Sequence, residues 1–278
     1  MSAGPLAARL AELGPYFAIQ SREPGLTRPD PWLPLAALLR EPAVLTDRIG
    51  QVRDGLAAAG GRAPGQVEFR VAASVAQLGV AARLLAPALG AEVLGAGLRL
   101  DPGQVWWVPE LGGPFGLSVP ATALGAPGPG PVRGLLAGPV TELAGAVAAR
   151  SVSPRILWGN VASAISGAAA MISATRPDLA PRARAAAAAA LEFPALAGAG
   201  DGPPGTAGFR RRSCCLIYRL AAVPGSGLCG DCVLSGRPAR PGRSGQDEPG
   251  AAVNQLADRV QVTSVGGRLG DHVQDRLP

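Results

Sequence analysis

The chain has 278 residues, a length that allows a buried hydrophobic core, and its formal net charge is +6. All 26 basic residues are Arg and Lys is absent, a bias that GC-rich coding produces together with abundant Ala, Gly and Pro. Nucleic-acid binding needs basic residues grouped with aromatic side chains, and aromatic residues make up only 4% of this chain. The composition therefore argues against a nucleic-acid partner in spite of the basic charge.

The N-terminal residues 1–13 lack the pattern of a secretory signal, because Arg9 and Glu12 interrupt the apolar stretch. An uncharged run between Arg155 and Arg176 matches a membrane span in length. Asn, Ser and Gly residues dilute this run, so we interpret it as a buried helix. We therefore expect a cytoplasmic protein with no transmembrane segment.

Apolar residues recur at helical spacing over much of the chain, and Gly and Pro mark the ends of these stretches. One predicted helix covers residues 66–90 and carries Pro87 near its end. The other predicted helices lie at residues 1–13, 35–59, 134–150, 156–174 and 178–192. Helices are therefore the main secondary structure that the sequence predicts.

The pattern changes between residues 104 and 120. Two β-type runs, at residues 105–108 and 115–119, flank Gly112 and Gly113, which predicts a hairpin. Further along the chain, Gly/Pro-rich stretches predict a loop at residues 125–131 and a linker at residues 197–208.

These patterns predict an α+β fold with a mainly helical domain over residues 1–205 and a small β-hairpin or sheet element. A C-terminal cysteine segment follows at residues 206–236, and it is predicted to hold a metal centre. Residues 237–278 are rich in Gly, Pro, Arg and Ser, which predicts a disordered tail. The one histidine of the chain, His272, lies in this tail, so we expect no chemistry by histidine.

The four cysteines of the chain are grouped between residues 214 and 232: Cys214 and Cys215 are adjacent, and Cys229 and Cys232 form a C-x-x-C pair. In a reducing compartment, such a group indicates metal ligands or redox thiols rather than disulfides. Adjacent side chains of an extended chain point apart, so Cys214 and Cys215 can bind one metal centre only where the backbone bends. A two-iron cluster is wider than a single ion and accommodates such a pair more easily. The spacing favours a [2Fe–2S] cluster and leaves structural zinc and dithiol chemistry open.

Arginines surround the first cysteine pair. Arg211 and Arg212 precede it closely, with no acidic residue among them. A [2Fe–2S] cluster with four thiolates has a charge of about −2, and reduction adds one negative charge, so a nearby cation raises the reduction potential. Arg211 and Arg212 are therefore candidates for tuning the cluster or attracting an anionic substrate, with a solvated basic segment as the alternative.

Two residues of a predicted helix are candidates for lining a substrate cleft. Trp158 and Asn160 lie close together and combine an aromatic ring with a polar amide. The alternative is that both pack in the core with their hydrogen bonds satisfied.

The cysteine segment resembles a known family. Residues 209–219, FRRRSCCLIYR, and residues 227–234, GLCGDCVL, resemble the C-terminal signature of the FhuF-like ferric-siderophore reductases, which are (2Fe-2S)-binding proteins. Residues 158–164, WGNVASA, and 70–74, RVAAS, resemble the actinobacterial branch of that family. The gap between the cysteine pairs looks longer than the family spacing around residues 224–227, where we expect a longer loop and an intact site.

The resemblance implies a function. A [2Fe–2S] cluster held by the four matching cysteines would pass one electron to Fe(III) in a ferric siderophore, in the cytoplasm, and Fe(II) would be released. The sequence contains no nicotinamide or flavin motif, so the electron donor must be another protein or a diffusible reductant. Two alternatives stay open: a non-enzymatic structural-zinc binding module, and an iron–sulfur electron carrier that does not act on siderophores.

Overall fold

The structure is a computed structural model, and it describes residues 3–125, 130–221 and 228–235. It is α+β and mainly helical, as the sequence predicts. The helices are α1 (Ala3–Ala11), α2 (Leu35–Arg40), α3 (Pro42–Ala59), α4 (Phe69–Val93), α5 (Pro131–Ala137), α6 (Pro139–Ala148), α7 (Pro154–Thr175) and α8 (Ala180–Leu191).

Helices α4 and α7 form the centre of the molecule and pack against each other along their lengths. Helices α3, α5, α6 and α8 contact α4, and α8 also contacts α7. Small side chains such as Ala72, Ala76 and Ala168 are fully buried in these two helices, so their backbones can approach closely. Both helices are long and apolar enough to cross a membrane, but 78% and 61% of their apolar windows are buried inside the fold.

A four-stranded sheet covers one side of the helices. Its strands are β1 (Gln20–Arg22), β2 (Leu33–Pro34), β3 (Trp106–Trp107) and β4 (Leu117–Pro120), in the order β1-β4-β3-β2. Strands β3 and β4 pair antiparallel, which confirms the predicted hairpin, while β1 joins β4 in parallel. Two buried aromatic rings, Trp107 and Phe115, pack edge to face at 5.6 Å between centroids.

Prolines are involved in three of the differences between the predicted and the observed helices. The stretch 35–59 is divided at Glu41, because Pro42 starts a new helix at its first position. The stretch 134–150 is divided in the same way by Pro139, which starts α6. Pro87, in contrast, lies inside α4 and does not end it, since this part of the helix is buried on all sides.

The predicted linker at residues 197–208 is also different in the structure. Its residues Gly200–Asp201 form strand β5, which pairs antiparallel with β6 (Arg210–Arg211). The amide of Gly205 donates to the hydroxyl of Ser166 on α7 at 3.0 Å. The predicted linker therefore contains a short strand and contacts α7, and it leads directly into the cysteine segment.

Several predictions fall on residues outside the described part of the chain. These are most of the loop 125–131, the longer loop around residues 224–227, and the tail 237–278 with His272. The proposed domain boundaries at 205 and 236 stay predictions.

Candidate metal centre

Both cysteine pairs follow strand β6 in the chain, and a short 3-10 helix, Ile217–Leu220, lies between them. Cys214 and Cys215 come between these two elements, and the next residue, Leu216, has a φ of 71°. This left-handed conformation bends the backbone directly after the adjacent pair, as two neighbouring ligands of one centre require. Cys215 is buried, while Cys214 is only partly covered.

The closest approach between the two pairs joins Cys215 and Cys229, whose Sγ atoms are 3.7 Å apart. Two sulfurs bound to one tetrahedral ion at about 2.3 Å lie about 3.8 Å apart, so this spacing is suitable for two ligands of one metal. The structure therefore brings together side chains from both halves of the predicted motif.

The other two thiols receive hydrogen bonds from neighbouring amides. The amide of Leu216 donates to Cys214 Sγ at 3.3 Å, and the amide of Leu234 donates to Cys232 Sγ at 3.4 Å. Amide donors of this kind stabilise thiolates, and they are common around iron–sulfur clusters.

In the part of the chain that the structure describes, no three His, Cys, Asp or Glu side chains surround a single metal-sized point. Structural zinc and a [2Fe–2S] cluster both take four thiolates, and in the cluster two of them bind each iron. The donor set of four thiols, two of them 3.7 Å apart, meets this requirement.

A buried arginine lies against this group. Arg211 has a relative exposure of only 1%, and its Nη2 donates to Cys229 Sγ at 2.6 Å and pairs with Asp231 Oδ1 at 3.1 Å. Burial by itself lowers the pKa of Arg211, but the negative charges of Cys215 and Asp231 outweigh it and hold the pKa above its usual value. A permanent cation therefore touches the sulfur of a candidate ligand.

The pKa values of three of the thiols are shifted in different directions. Hydrogen bonds from Cys214 and Cys229, together with the Arg211 cation, hold the pKa of Cys215 well below its usual value. Because these hydrogen bonds stabilise the protonated donors, the pKa values of Cys214 and Cys229 are raised. Among these three thiols, Cys215 is therefore the one whose thiolate form, the form that binds metals, is stabilised.

A second polar layer connects Arg211 to the two central helices. Arg211 Nη1 donates to Asn160 Oδ1 at 2.9 Å, and Asn160 Nδ2 donates in turn to the Ser74 hydroxyl and to Gln77 Oε1 at 3.1 and 3.0 Å. The Ser74 hydroxyl donates to the carbonyl of Cys215 at 2.9 Å. Asn160, Ser74 and Gln77 are fully buried. Helices α4 and α7 thus hold both the arginine and the backbone of a candidate ligand.

Ser74 and Gln77 are functional candidates that the sequence prediction missed. They are polar residues spaced three apart among the buried residues of α4. Hydrophobic periodicity alone counts such residues only as interruptions of the apolar face. Their partners lie far away in sequence, so only the fold shows what they contact.

Two buried donors at the site have no partner among the described residues: Arg211 Nε and the hydroxyl of Ser213. Unpaired buried donors are costly, and native structures rarely keep them without an acceptor. Both atoms belong to the segment that leads into the first cysteine pair, and the Ser213 hydroxyl lies against Gly159 of α7.

The other two predicted site residues lie away from the thiols. Arg212 is half exposed and forms a two-pronged ion pair with Asp201, at 2.7 and 2.5 Å. Trp158 is partly buried on α7, where its ring packs against Phe193 at 6.1 Å between centroids. The structure brings Arg211 and Asn160 to the cysteines but not Arg212 or Trp158.

Comparison with known proteins agrees with this site. Residues 211–234 match the family model described as the FhuF 2Fe-2S C-terminal domain. No curated protein and no solved structure matches the chain. The matched segment starts at Arg211 and contains the four cysteines and Asp231. The segment 211–234 is therefore similar to the FhuF 2Fe-2S C-terminal domain, and its cofactor is a [2Fe–2S] cluster.

Proposed function

We propose that this protein is a ferric-siderophore reductase, which passes one electron to siderophore-bound Fe(III) and so releases Fe(II) in the cytoplasm. Cys214, Cys215, Cys229 and Cys232 are its ligands for the cluster. The observation that carries the proposal is the approach of Cys215 and Cys229 to 3.7 Å, within a segment of the FhuF 2Fe-2S type.

The chemistry needs no acid or base from the protein. When bound, the cluster supplies a single electron at a time. Siderophores bind iron through hard oxygen atoms that prefer Fe(III) to Fe(II), so adding one electron to the complex weakens it. The protein must therefore hold the cluster, set its potential, and let the substrate approach.

The burial of the four cysteines supports such an approach. Cys215 and Cys232 are 2% exposed, whereas Cys214 and Cys229 are partly open to solvent. Val233, next to the last cysteine, is 38% exposed. One side of the site is therefore covered by α4 and α7, and the other is near the surface, where an electron can pass to a bound complex.

The predicted substrate-side residues divide into two groups. Arg212 is exposed and Trp158 is partly exposed, so both stay candidates for contact with an anionic siderophore. Arg211 and Asn160 are at most 1% exposed. We therefore assign these two residues to the cluster side and not to the substrate side.

The test begins with anaerobically purified protein. We expect about two irons and two acid-labile sulfides per chain, and an EPR signal that appears only on reduction. After excess reductant is removed by gel filtration, a ferric siderophore is added and released Fe(II) is trapped with a ferrous-specific chelator. We expect one Fe(II) for each cluster that is reoxidised, because each step transfers one electron.

A matched control uses the Ga(III) complex of the same siderophore, which has a similar shape but cannot be reduced. It should leave the cluster reduced. A colourless protein with zinc and no sulfide would favour the structural-zinc module. A normal cluster that is not reoxidised by any ferric siderophore would favour a simple electron carrier. Either result would reject the proposal.

A further inference from the structure

We propose that Arg211 and Asp231 set the reduction potential of the cluster in opposite directions, and that Asn160 is the positioning residue that holds Arg211 against Cys229. This inference rests on the proposed function, because it requires the four cysteines to hold the cluster.

The argument starts from the charge of the cluster. Four thiolates, two sulfides and two ferric ions sum to a charge of about −2, and reduction by one electron makes it about −3. A cation beside the cluster stabilises the more negative state more strongly and raises the potential, while an anion lowers it. Because Arg211 is only 1% exposed, its charge is screened less by water than a surface charge is.

The hydrogen-bond donors to the cysteine sulfurs differ in charge. Cys214 and Cys232 receive hydrogen bonds from the neutral amides of Leu216 and Leu234, at 3.3 and 3.4 Å. Cys229 receives its hydrogen bond from the guanidinium of Arg211 at 2.6 Å. Among the described residues, Arg211 is the charged side chain that hydrogen-bonds to cysteine sulfur, so it is the dominant local cation.

Asp231 opposes this cation. Its carboxylate is 3.1 Å from Arg211 Nη2, and its carbonyl accepts the amide of Arg211 at 3.0 Å. It lies inside the C-x-x-C turn, between Cys229 and Cys232. The potential therefore depends on two opposite charges that contact each other and flank the same ligand.

Asn160 fixes the geometry of the pair. Its amide oxygen accepts from Arg211 Nη1, and its amide nitrogen donates to α4 through Ser74 and Gln77. Without Asn160, the guanidinium would lose its buried partner on α7 and could turn away from Cys229. Asn160 thus acts on the cluster through Arg211, without touching a thiol itself.

The test measures the midpoint potential by EPR-monitored redox titration of the cluster-loaded full chain, without siderophore. Arg211→Gln should lower the midpoint potential by at least 59 mV, which is a tenfold change in the ratio of reduced to oxidised cluster. Asp231→Asn should raise it. The exposed pair supplies matched controls: Arg212→Gln and Asp201→Asn should leave the midpoint nearly unchanged.

A double-mutant cycle tests the role of Asn160. Asn160→Ala should lower the potential in the wild-type background, and it should add little in the Arg211→Gln background, because its effect passes through the arginine. Additive shifts would overturn this part of the proposal. If Arg211→Gln does not retain the cluster, Arg211→Lys is the second variant, since it keeps the positive charge but loses the two separate nitrogens that bind Asn160 and Cys229. Asp231→Asn still tests whether removal of the negative charge raises the midpoint potential.

Two outcomes would overturn the inference while leaving the proposed function intact: an unchanged potential in loaded Arg211→Gln protein, or shifts of the same sign in Arg211→Gln and Asp231→Asn. The same sign would indicate that both substitutions only distort the site. The absence of iron and sulfide from wild-type protein would instead reject the proposed function, and the inference with it.

Discussion

Arg211 and Arg212 are neighbours in sequence, and each forms an ion pair, yet the two pairs lie in opposite environments. Arg211 is 1% exposed and contacts Asp231, Cys229 and Asn160, whereas Arg212 and its partner Asp201 are each more than half exposed. Side chains alternate between the two faces of an extended chain, so Arg211, the last residue of β6, enters the interior, while Arg212, the residue after the strand, faces solvent. The same residue type therefore lies in different environments one position apart.

The largest effect is expected from removing the sulfur atom that the buried Arg211 contacts. Cys229→Ser deletes the thiol that accepts from Arg211, and we expect the protein to lose most of its iron and acid-labile sulfide. Iron and sulfide analysis of anaerobically purified protein measures this loss. Arg212→Gln serves as the control and should keep a full cluster. A Cys229→Ser protein that retained wild-type iron and sulfide would remove this cysteine from the ligand set.

The next largest effect concerns stability. Arg211→Met leaves Asp231 without its cation in a site that is mostly closed to water, and we expect a loss of about 3 kcal/mol in the free energy of unfolding. Chemical denaturation under anaerobic conditions measures it. Arg212→Met removes an exposed pair and should change the unfolding midpoint little. Equal losses in the two variants would show that burial does not distinguish the two pairs.

A smaller effect is expected at the contact between Gly159 on α7 and Ser213, which follows β6 in the chain. A Cβ atom added at Gly159 would be 2.0 Å from the Ser213 hydroxyl and 3.3 Å from its Cβ. Gly159→Ala should therefore displace Ser213 and cost about 1–3 kcal/mol, measured by thermal or chemical unfolding.

Gly167 on the same helix provides the matched control. An added Cβ there meets nothing within 4 Å. Gly167→Ala should stabilise the helix by about 0.5–1 kcal/mol. If both glycine variants were stabilised, the cysteine segment would not depend on close contact with α7.

The smallest expected effect is a pH dependence of the exposed pair. The hydrogen bond from Arg212 lowers the pKa of Asp201 in the folded protein. A carboxylate with a lowered pKa stabilises the fold above its unfolded pKa, and this contribution is lost as the pH falls through the folded value. Asp201→Asn should therefore reduce the stability difference between pH 7 and pH 3 slightly. A larger difference in the variant would contradict the assigned sign.

The sequence predicts the parts of this site that depend on local order along the chain. The cysteine spacing indicates the kind of metal centre, and the residues around Gly112 and Gly113 predict the hairpin between β3 and β4. The bend after Cys215 could also be expected, since two adjacent ligands require it, and Leu216 provides it.

What the sequence cannot predict are contacts between distant positions. Ser74 and Cys215 are 141 residues apart, and Arg211 and Asn160 are 51 apart, so no local pattern connects them. The attachment of residues 197–208 was missed for the same reason, because its composition is that of a loop while its contacts with Ser166 depend on the packing of α7.

The hydrogen bond from Ser74 to Cys215 and the one from Arg211 to Asn160 have an evolutionary consequence. Ser74 and Asn160 belong to helices that precede the 24-residue segment 211–234. If Arg211 sets the cluster potential as we propose, mutations in these helices would adjust the driving force of electron transfer while every cysteine stays in place. Two homologues with identical C-terminal motifs could then accept electrons from different reductants, and a motif search would score them as the same.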